Sequence, residues 1–483
     1  MTTDLDAVVV GGGPNGLAAA IALARAGRSV RVIEARDTVG GGCRTAELTE
    51  PGVLHDVCSA IHPLARASPF FSELPLAGYG LEWVEPPIQL AHPLDDGSAA
   101  LVYRDVAATA DGFGTAQDAS RYRGWMEPVV ADWELIAREL LGPLRPSAGI
   151  RHPIAVSRFA LPSVLPASMV ARRFRSPKAR ALIAGVAAHS FLRLSAPMSA
   201  GFGLALLVSA HAVGWPMPRG GSGRIVEALA DHLKRLGGEI ETGCPVASLD
   251  AVPPHRAALF DLTPRQVLAL AGDRLGGAYA KQLRRFRYGP GAFKLDLVLR
   301  APIPWSNPEL ARAGTVHVGG TLEEIEASEA AVHDGRVSAR PFVLLAQPTQ
   351  FDPSRAPAGR HVVWAYCHVP NGWTGDATDA IEGQVERFAP GFRDLVVARH
   401  VLAPAELEAY NANYVGGDIN GGLMHWAQFL TRPALRRDPY ATPDPRIFIC
   451  SASTPPGGGV HGLCGLHAAR SALRGRGMRG GEA

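Results

Sequence analysis

The spacing of apolar and polar positions changes along this chain, and each change marks an element. Asp6-Ala-Val-Val-Val10 is almost continuously apolar, which predicts a strand buried on both faces. A glycine-rich turn follows, Gly11-Gly-Gly-Pro-Asn-Gly16, and then the alanine-rich helix Leu17-Ala-Ala-Ala-Ile-Ala-Leu-Ala24. A second apolar run, Val30-Arg-Val-Ile33, ends at Glu34. Gly11, Gly13 and Gly16 match G-x-G-x-x-G, and Glu34 lies eighteen residues beyond the last glycine. Gly11 permits the tight turn, Gly13 lets backbone approach a pyrophosphate, and Gly16 lets helix pack on strand. The helix N-terminus, which Pro14 and Asn15 open, presents unpaired N–H groups to phosphate. Glu34 is placed to accept hydrogen bonds from a ribose. Strand, turn, helix, strand and acid together predict a site for an adenine dinucleotide.

Helical spacing returns at Ile225, Leu229 and Leu233, is stopped by Gly237-Gly238, and gives way to a strand running into Val246. Near the other end, the run Arg446-Ile-Phe-Ile-Cys-Ser-Ala-Ser-Thr454 predicts a strand. It leads through Pro455-Pro-Gly-Gly-Gly-Val-His-Gly462 into a helix from Leu463. Gly457, Gly459 and Gly462 repeat the glycine spacing, yet the 21 residues beyond are too few for a helix and a second paired strand. Between these segments, Trp125, Val129, Trp133, Ile136 and Leu140 predict a helix over Tyr122–Leu141. Leu161-Pro-Ser-Val-Leu-Pro166 punctuates the helical part. Gly291–Leu299 and Phe342–Ala346 read as strands. Leu194–Pro218 carries no Asp, Glu, Lys or Arg, but its prolines and glycines predict a buried helix beside a ligand cavity, with peripheral membrane contact as the alternative. No internal repeat is found.

Composition narrows the partners. With 47% hydrophobic and 19% charged residues over 483 positions, the chain can bury a large core. The net charge of +3, without a basic stripe interleaved with aromatics, argues against nucleic acid. Six scattered cysteines (43, 58, 244, 367, 450 and 464) contain no C-x-x-C, which argues against a disulfide framework, a zinc ribbon and a redox dithiol. A reducing, cytoplasmic setting is expected. The histidines lack ligand spacing, so no metal is expected. The first strand begins within ten residues, so no targeting segment is expected, and the glycine-rich tail 474–481 is expected to fray.

After Glu34 comes a second glycine turn, Gly40-Gly-Gly-Cys-Arg-Thr45, for which a nicotinamide site has no standing need. In this the chain resembles FAD proteins of the amine oxidase and phytoene desaturase superfamily, which carry Glu-x5-Gly-Gly. The segments around Val246 and Ser453–Val460 share the resemblance. It implies an α/β fold: an FAD-binding Rossmann-like domain (three-layer, glutathione reductase-type family 2) with a mixed sheet-plus-helix substrate domain. The first domain would collect residues 1–70, 215–275 and 425–483, and the second 71–214 and 276–424. The resemblance implies cofactor contacts from Gly11, Gly13, Pro14, Asn15, Gly16, Glu34, Ala35, Arg36, Gly41, Gly42 and Arg44. Val246 would hold adenine through its backbone, and Ser453, Gly458, Gly459 and Val460 would face the flavin. Two features depart from amine oxidases. Gly42 stands where an arginine usually follows the Gly-Gly pair, and Ser451-Ala-Ser-Thr replaces the usual glutamate segment. The pattern is closest to the phytoene desaturase-like branch that includes pyridine nucleotide-disulfide oxidoreductase domain-containing protein 2.

Only four of the 48 basic residues are lysine, so Lys294 inside the apolar run Phe293–Leu299 is a specific choice. Its segment resembles the amine oxidase strand whose lysine holds a water against flavin N5. The competing reading is an ion pair with Asp296, which strand alternation puts on the same face. His425, in a loop with two glycines, is the second candidate catalytic residue, with core packing as its alternative. His62 reads as structural. The resemblance implies hydride removal from a C–H bond of a largely hydrophobic small molecule, by desaturation or amine oxidation. Flavin-dependent isomerisation or saturation without net oxidation, and a non-catalytic flavoprotein in an assembly, are the alternatives. The oligomeric state is left open.

Overall fold

The computed structural model describes residues 5–143, 151–475 and 478. Two sheets organise them. The first is a five-stranded parallel sheet in the spatial order Ile447–Ile449, His255–Phe260, Leu5–Val10, Val30–Ile33, Glu239–Glu241. Its central strands are buried on both faces, hence their unbroken apolar runs. Helix α1 (Pro14–Arg25) and the helices Gly223–Arg235 and Leu463–Arg474 pack one core against this sheet. Tyr279, Leu283 and Val267 cover its other face. All five strands come from the three segments 1–70, 215–275 and 425–483.

The second sheet has seven strands and is mixed. Its order is Val396–Leu402, Gly291–Leu299, His361–Val369, Val343–Ala346, Ala313–Val318, Ile88–Pro93, Ala99–Val102. The pairings are antiparallel except between Ala313–Val318 and Ile88–Pro93. One face is apolar: Phe293, Leu295 and Leu297 alternate against Ile381, Val385 and Phe388 of the helix Thr378–Phe388. The opposite face turns toward the helices Ala116–Ala131, Pro177–Ala188 and Ser199–Ala212. That face carries Lys294, Asp296, Thr315, His317, Trp364, Tyr366 and His368, since residues directly paired across strands share a face.

Several elements differ from the sequence expectation. The helix expected over 122–141 is two, Ala116–Ala131 and Trp133–Leu140. Thr115 starts the first by accepting the Asp118 N–H. Pro128 lacks the N–H that a continuous helix requires, and the chain turns at Asp132. The buried stripe is Tyr122, Met126, Val129, Trp133 and Ile136, while Trp125 is only half-buried. The Leu140 side chain lies outside the described residues. The strand expected to reach Val246 stops at Glu241, because Gly243 takes a left-handed φ of 71°. The last strand covers only Ile447–Ile449, and the turn begins sooner. Most of the 474–481 tail lies outside the described residues, but Met478 within it is buried in the core of the parallel sheet.

The charge-free stretch forms the helix Ser199–Ala212, packed on Pro177–Ala188 through Gly203. No helix among the described residues is long and apolar enough to cross a membrane.

Close helix crossing offers a test of this packing. A Cβ on Gly465 would lie 1.9 Å from the Asn15 carbonyl oxygen of α1. Gly465→Ala gains up to ~1 kcal/mol of helix propensity but must separate the helices. The overpacking cost of about 3 kcal/mol exceeds that gain. Thermal unfolding should therefore shift down by several degrees, and an unchanged or raised midpoint would contradict the crossing.

Candidate functional site

The C-terminal ends of the parallel strands meet at one point, where a cavity of about 900 Å³ begins. Gly11, Gly13, Pro14 and Asn15 form its floor. A Cβ on Gly16 would lie 2.0 Å from the Gly11 carbonyl oxygen, and one on Gly13 would lie 2.7 Å from Asp261 Oδ2. The N-cap of α1 is Gly13 itself, with no side-chain cap, so apart from the Gly16 N–H, which Asp261 takes, its first turn is open to an anion. Glu34 is anchored on both oxygens: Gly12 N–H donates to Oε2 at 2.7 Å and Arg36 N–H to Oε1 at 2.9 Å. Arg44 Nη2 reaches Glu34 Oε1 at 3.3 Å, and its Nη1 reaches the Gly41 carbonyl at 3.2 Å. The segment leading to Val246 is clasped to this loop, with Gly243 N–H donating to the Arg36 carbonyl and Cys244 N–H to that of Glu34.

Fourteen of the sixteen residues implied as cofactor contacts line the cavity: Gly11, Gly13, Pro14, Asn15, Glu34, Ala35, Arg36, Gly41, Gly42, Arg44, Val246, Ser453, Gly459 and Val460. Gly16 and Gly458 do not. Gly16 N–H donates to Asp261, and Gly458 sits against the Asn420 backbone, so both shape the wall from behind. His425 is placed elsewhere too. It is half-buried at the start of the helix Trp426–Thr431, where Nδ1 accepts the Ala427 N–H, and it is not a cavity residue. His62 lines the cavity with Nε2 2.8 Å from Ser222 Oγ, and burial lowers its pKa to about 4.

Lys294 stands on the cavity-facing side of the seven-stranded sheet but is not a lining residue. Its ammonium bonds Asp296 Oδ2 and lies 6.0 Å from the Trp364 ring centroid, and Trp364 does line the cavity. His55 and His400 also approach Asp296, at 3.6 and 3.8 Å. Burial opposes ionisation of Asp296, but Lys294, His400 and His55 outweigh it and hold the carboxyl below its usual range.

Several site residues went unnoticed in the sequence. Asp261 is buried beside the turn and accepts the Gly16 N–H at 2.9 Å. Burial raises its pKa to about 7, against the Gly16 hydrogen bond and with the charge of Glu34 adding to the rise. Its position at the end of the apolar run Ala257–Phe260 was the available signal. Tyr410, Asn413 and Tyr414 close the cavity from a distant segment. Tyr410 donates to the Gly41 carbonyl at 2.6 Å, and Asn413 Nδ2 donates to the Asp261 carbonyl at 2.9 Å. A Cβ on Gly42 would meet the Tyr414 hydroxyl at 2.2 Å. Buried Asn15 Oδ1 and Asn420 Nδ2, both on cavity residues, have no protein partner, as expected of groups kept for a ligand.

The far part of the cavity is of another kind. Phe191, Phe202, Leu206, Trp215, Leu344, Trp364 and Tyr366 make it aromatic and apolar. Among the described residues no cluster of His, Cys, Asp and Glu could hold a metal, and all six cysteines are unpaired.

A dinucleotide cradle on a parallel sheet, opening directly into an apolar pocket, is the arrangement of a Rossmann-type oxidoreductase. Residues 9–74 match the family model of the NAD(P)-binding Rossmann-like domain. The chain is 27% identical to pyridine nucleotide-disulfide oxidoreductase domain-containing protein 2 of Mus musculus, over 98% of this chain and 94% of that protein. It is 27% identical to phytoene dehydrogenase of Streptomyces griseus, over 81% and 77%. A solved putrescine oxidase superposes with a TM-score of 0.60, covering 97% of this chain and 98% of that one at 17% identity. Over most of its length the chain is thus similar in sequence to oxidoreductases of the phytoene desaturase-like kind, and in fold to an amine oxidase.

Asp261 gives the cradle a pH dependence. Below about pH 7 its carboxyl is neutral, and above that an anion faces any bound pyrophosphate. Binding therefore takes up a proton above the free pKa. The affinity of the protein for an added adenine dinucleotide should fall as pH rises through about 7, by up to about tenfold per unit. Asp261→Asn should flatten that profile. Identical profiles for the two proteins would remove Asp261 from cofactor binding.

Proposed function

We propose that the chain binds FAD along this cavity and removes a hydride from a C–H bond of a largely hydrophobic small molecule. The products would be those of desaturation or amine or imine oxidation, with the flavin reoxidised by oxygen or another acceptor. The observation that carries this reading is that cradle and apolar pocket are one continuous cavity. The likeness to proteins named phytoene dehydrogenase and putrescine oxidase supports it.

In this reading the backbone at Val246 takes the adenine, Glu34 the ribose, and the open turn of α1 the pyrophosphate. Gly41, Gly42 and Arg44 sit beside that pyrophosphate, and Ser453 and Gly459–Val460 approach the flavin. Bound FAD supplies the electron-pair acceptor, which no side chain can replace. The chain's own part is to orient the substrate and exclude water. Phe191, Phe202, Leu206 and Trp215 do so from the helical side, Trp364 and Tyr366 from the sheet. Lys294 acts as a positioning residue behind Trp364, its positive charge partly offset by Asp296.

Two measurements test the proposal. Purified protein should release FAD on denaturation, and anaerobic addition of a polyene or an amine should bleach the visible flavin band, with colour returning on aeration. Conversion without bleaching would favour isomerisation or saturation. Absence of both, with tight binding of a protein partner, would favour a non-catalytic role.

Lys294 needs a paired variant. Removing it alone leaves a buried carboxylate unpaired by its lysine, at a cost of about 3–5 kcal/mol. Lys294→Met with Asp296→Asn should retain FAD and slow flavin reduction or reoxidation severalfold. Unchanged rates in both half-reactions would remove Lys294 from the mechanism.

A further inference from the structure

The apolar end of the cavity contains polar atoms that the protein does not satisfy. Thr315, on the strand Ala313–Val318, is 2% exposed, lines the cavity, and has no hydrogen-bond partner for Oγ1. His189 also lines the cavity, with its ring edge-on to Trp215 at 5.8 Å. Its Nε2 lies 3.0 Å from Nε2 of His317, two residues from Thr315 and on the same strand face, roughly 7 Å along the strand. His189 Nδ1 has no partner among the described residues.

The histidine pair fixes where the protons are. Burial lowers both pKa values, that of His189 to about 3, so both rings are neutral. Buried His317 Nδ1 has no partner. It faces Gly185, whose Cβ would lie 3.0 Å from both it and His92 Nδ1. A buried N–H without an acceptor is rarer than a bare lone pair. The His317 proton therefore sits on Nε2 and is donated to Nε2 of His189. Neutral His189 must then carry its own proton on Nδ1. The pocket thus offers the His189 Nδ1–H and the Thr315 hydroxyl as donors on walls whose other polar group is the Tyr366 hydroxyl.

We infer that the cavity selects a substrate with an apolar body and one neutral oxygen acceptor, a carbonyl or hydroxyl, held by His189 and Thr315. A plain hydrocarbon would leave both donors unpaired. This rests on the proposed function in taking the apolar end of the cavity as the substrate's place.

Menthone and p-menthane share one carbon skeleton and differ in a single carbonyl. Their binding to the purified holoprotein can be read by quenching of tryptophan fluorescence, since Trp215 and Trp364 line the cavity. Wild type should prefer menthone by about tenfold. Thr315→Val and His189→Phe should each reduce that preference about threefold while leaving p-menthane affinity unchanged. A collapsed pocket would lose both ligands, so retained p-menthane binding separates lost donors from misfolding. Equal affinities in a flavin-loaded wild type, or a preference that survives both substitutions, would overturn this inference alone. A preparation that prefers menthone yet carries no flavin would instead overturn the FAD reading.

Discussion

At Gly11–Gly16 three chain segments approach so closely that not one further carbon fits between them. The Gly16 Cα faces the Gly11 carbonyl, and Gly13 faces the Asp261 carboxyl from the end of another strand. That contact places the N-terminus of α1 directly over the strand ends. The Asp261 carboxyl, in accepting the Gly16 N–H, ties the neighbouring strand to the same point. Everything else in the cradle is built outward from it. Glu34 is held by Gly12, the 243–246 segment by Glu34 and Arg36, and the 410–414 segment by Gly41 and Asp261.

The second sheet meets a different constraint. One face is ordinary apolar packing, but the other must border a ligand, and it carries an unusual number of buried polar side chains. Lys294 and Asp296 neutralise one another, and His368 is paired with Glu329 at 2.8 Å. Where no partner is available, as for Thr315, the cost of burial is offset only by a bound molecule. The face is therefore polar where the protein can pair its groups and open where a ligand can.

The cradle was legible in the sequence because its parts are local. Turn, helix and acid lie within Asp6–Glu34, and glycine spacing reports a steric requirement directly. The strands Gly291–Leu299 and Val343–Ala346 were legible from their apolar runs. The helix break at Asp132 was not, since a 3.6-residue stripe continues across it and Pro128 was the only warning. Asp261, Tyr410 and Asn413 were hidden for another reason. Their roles come from contacts with residues some 245, 369 and 152 positions away, which no local pattern encodes. Thr315 and His189 were hidden likewise, because what marks them is a missing partner.

In the proposed function one cavity holds both a flavin dinucleotide and the substrate's reacting carbon. A crystal structure of the purified holoprotein tests it most directly. The expected result is FAD density running from Val246 and Glu34, past the first turn of α1, to Gly459 and Val460, with its flavin end opening on Trp364 and Tyr366. A nicotinamide nucleotide in the cradle, or FAD bound away from the apolar pocket, would contradict the account.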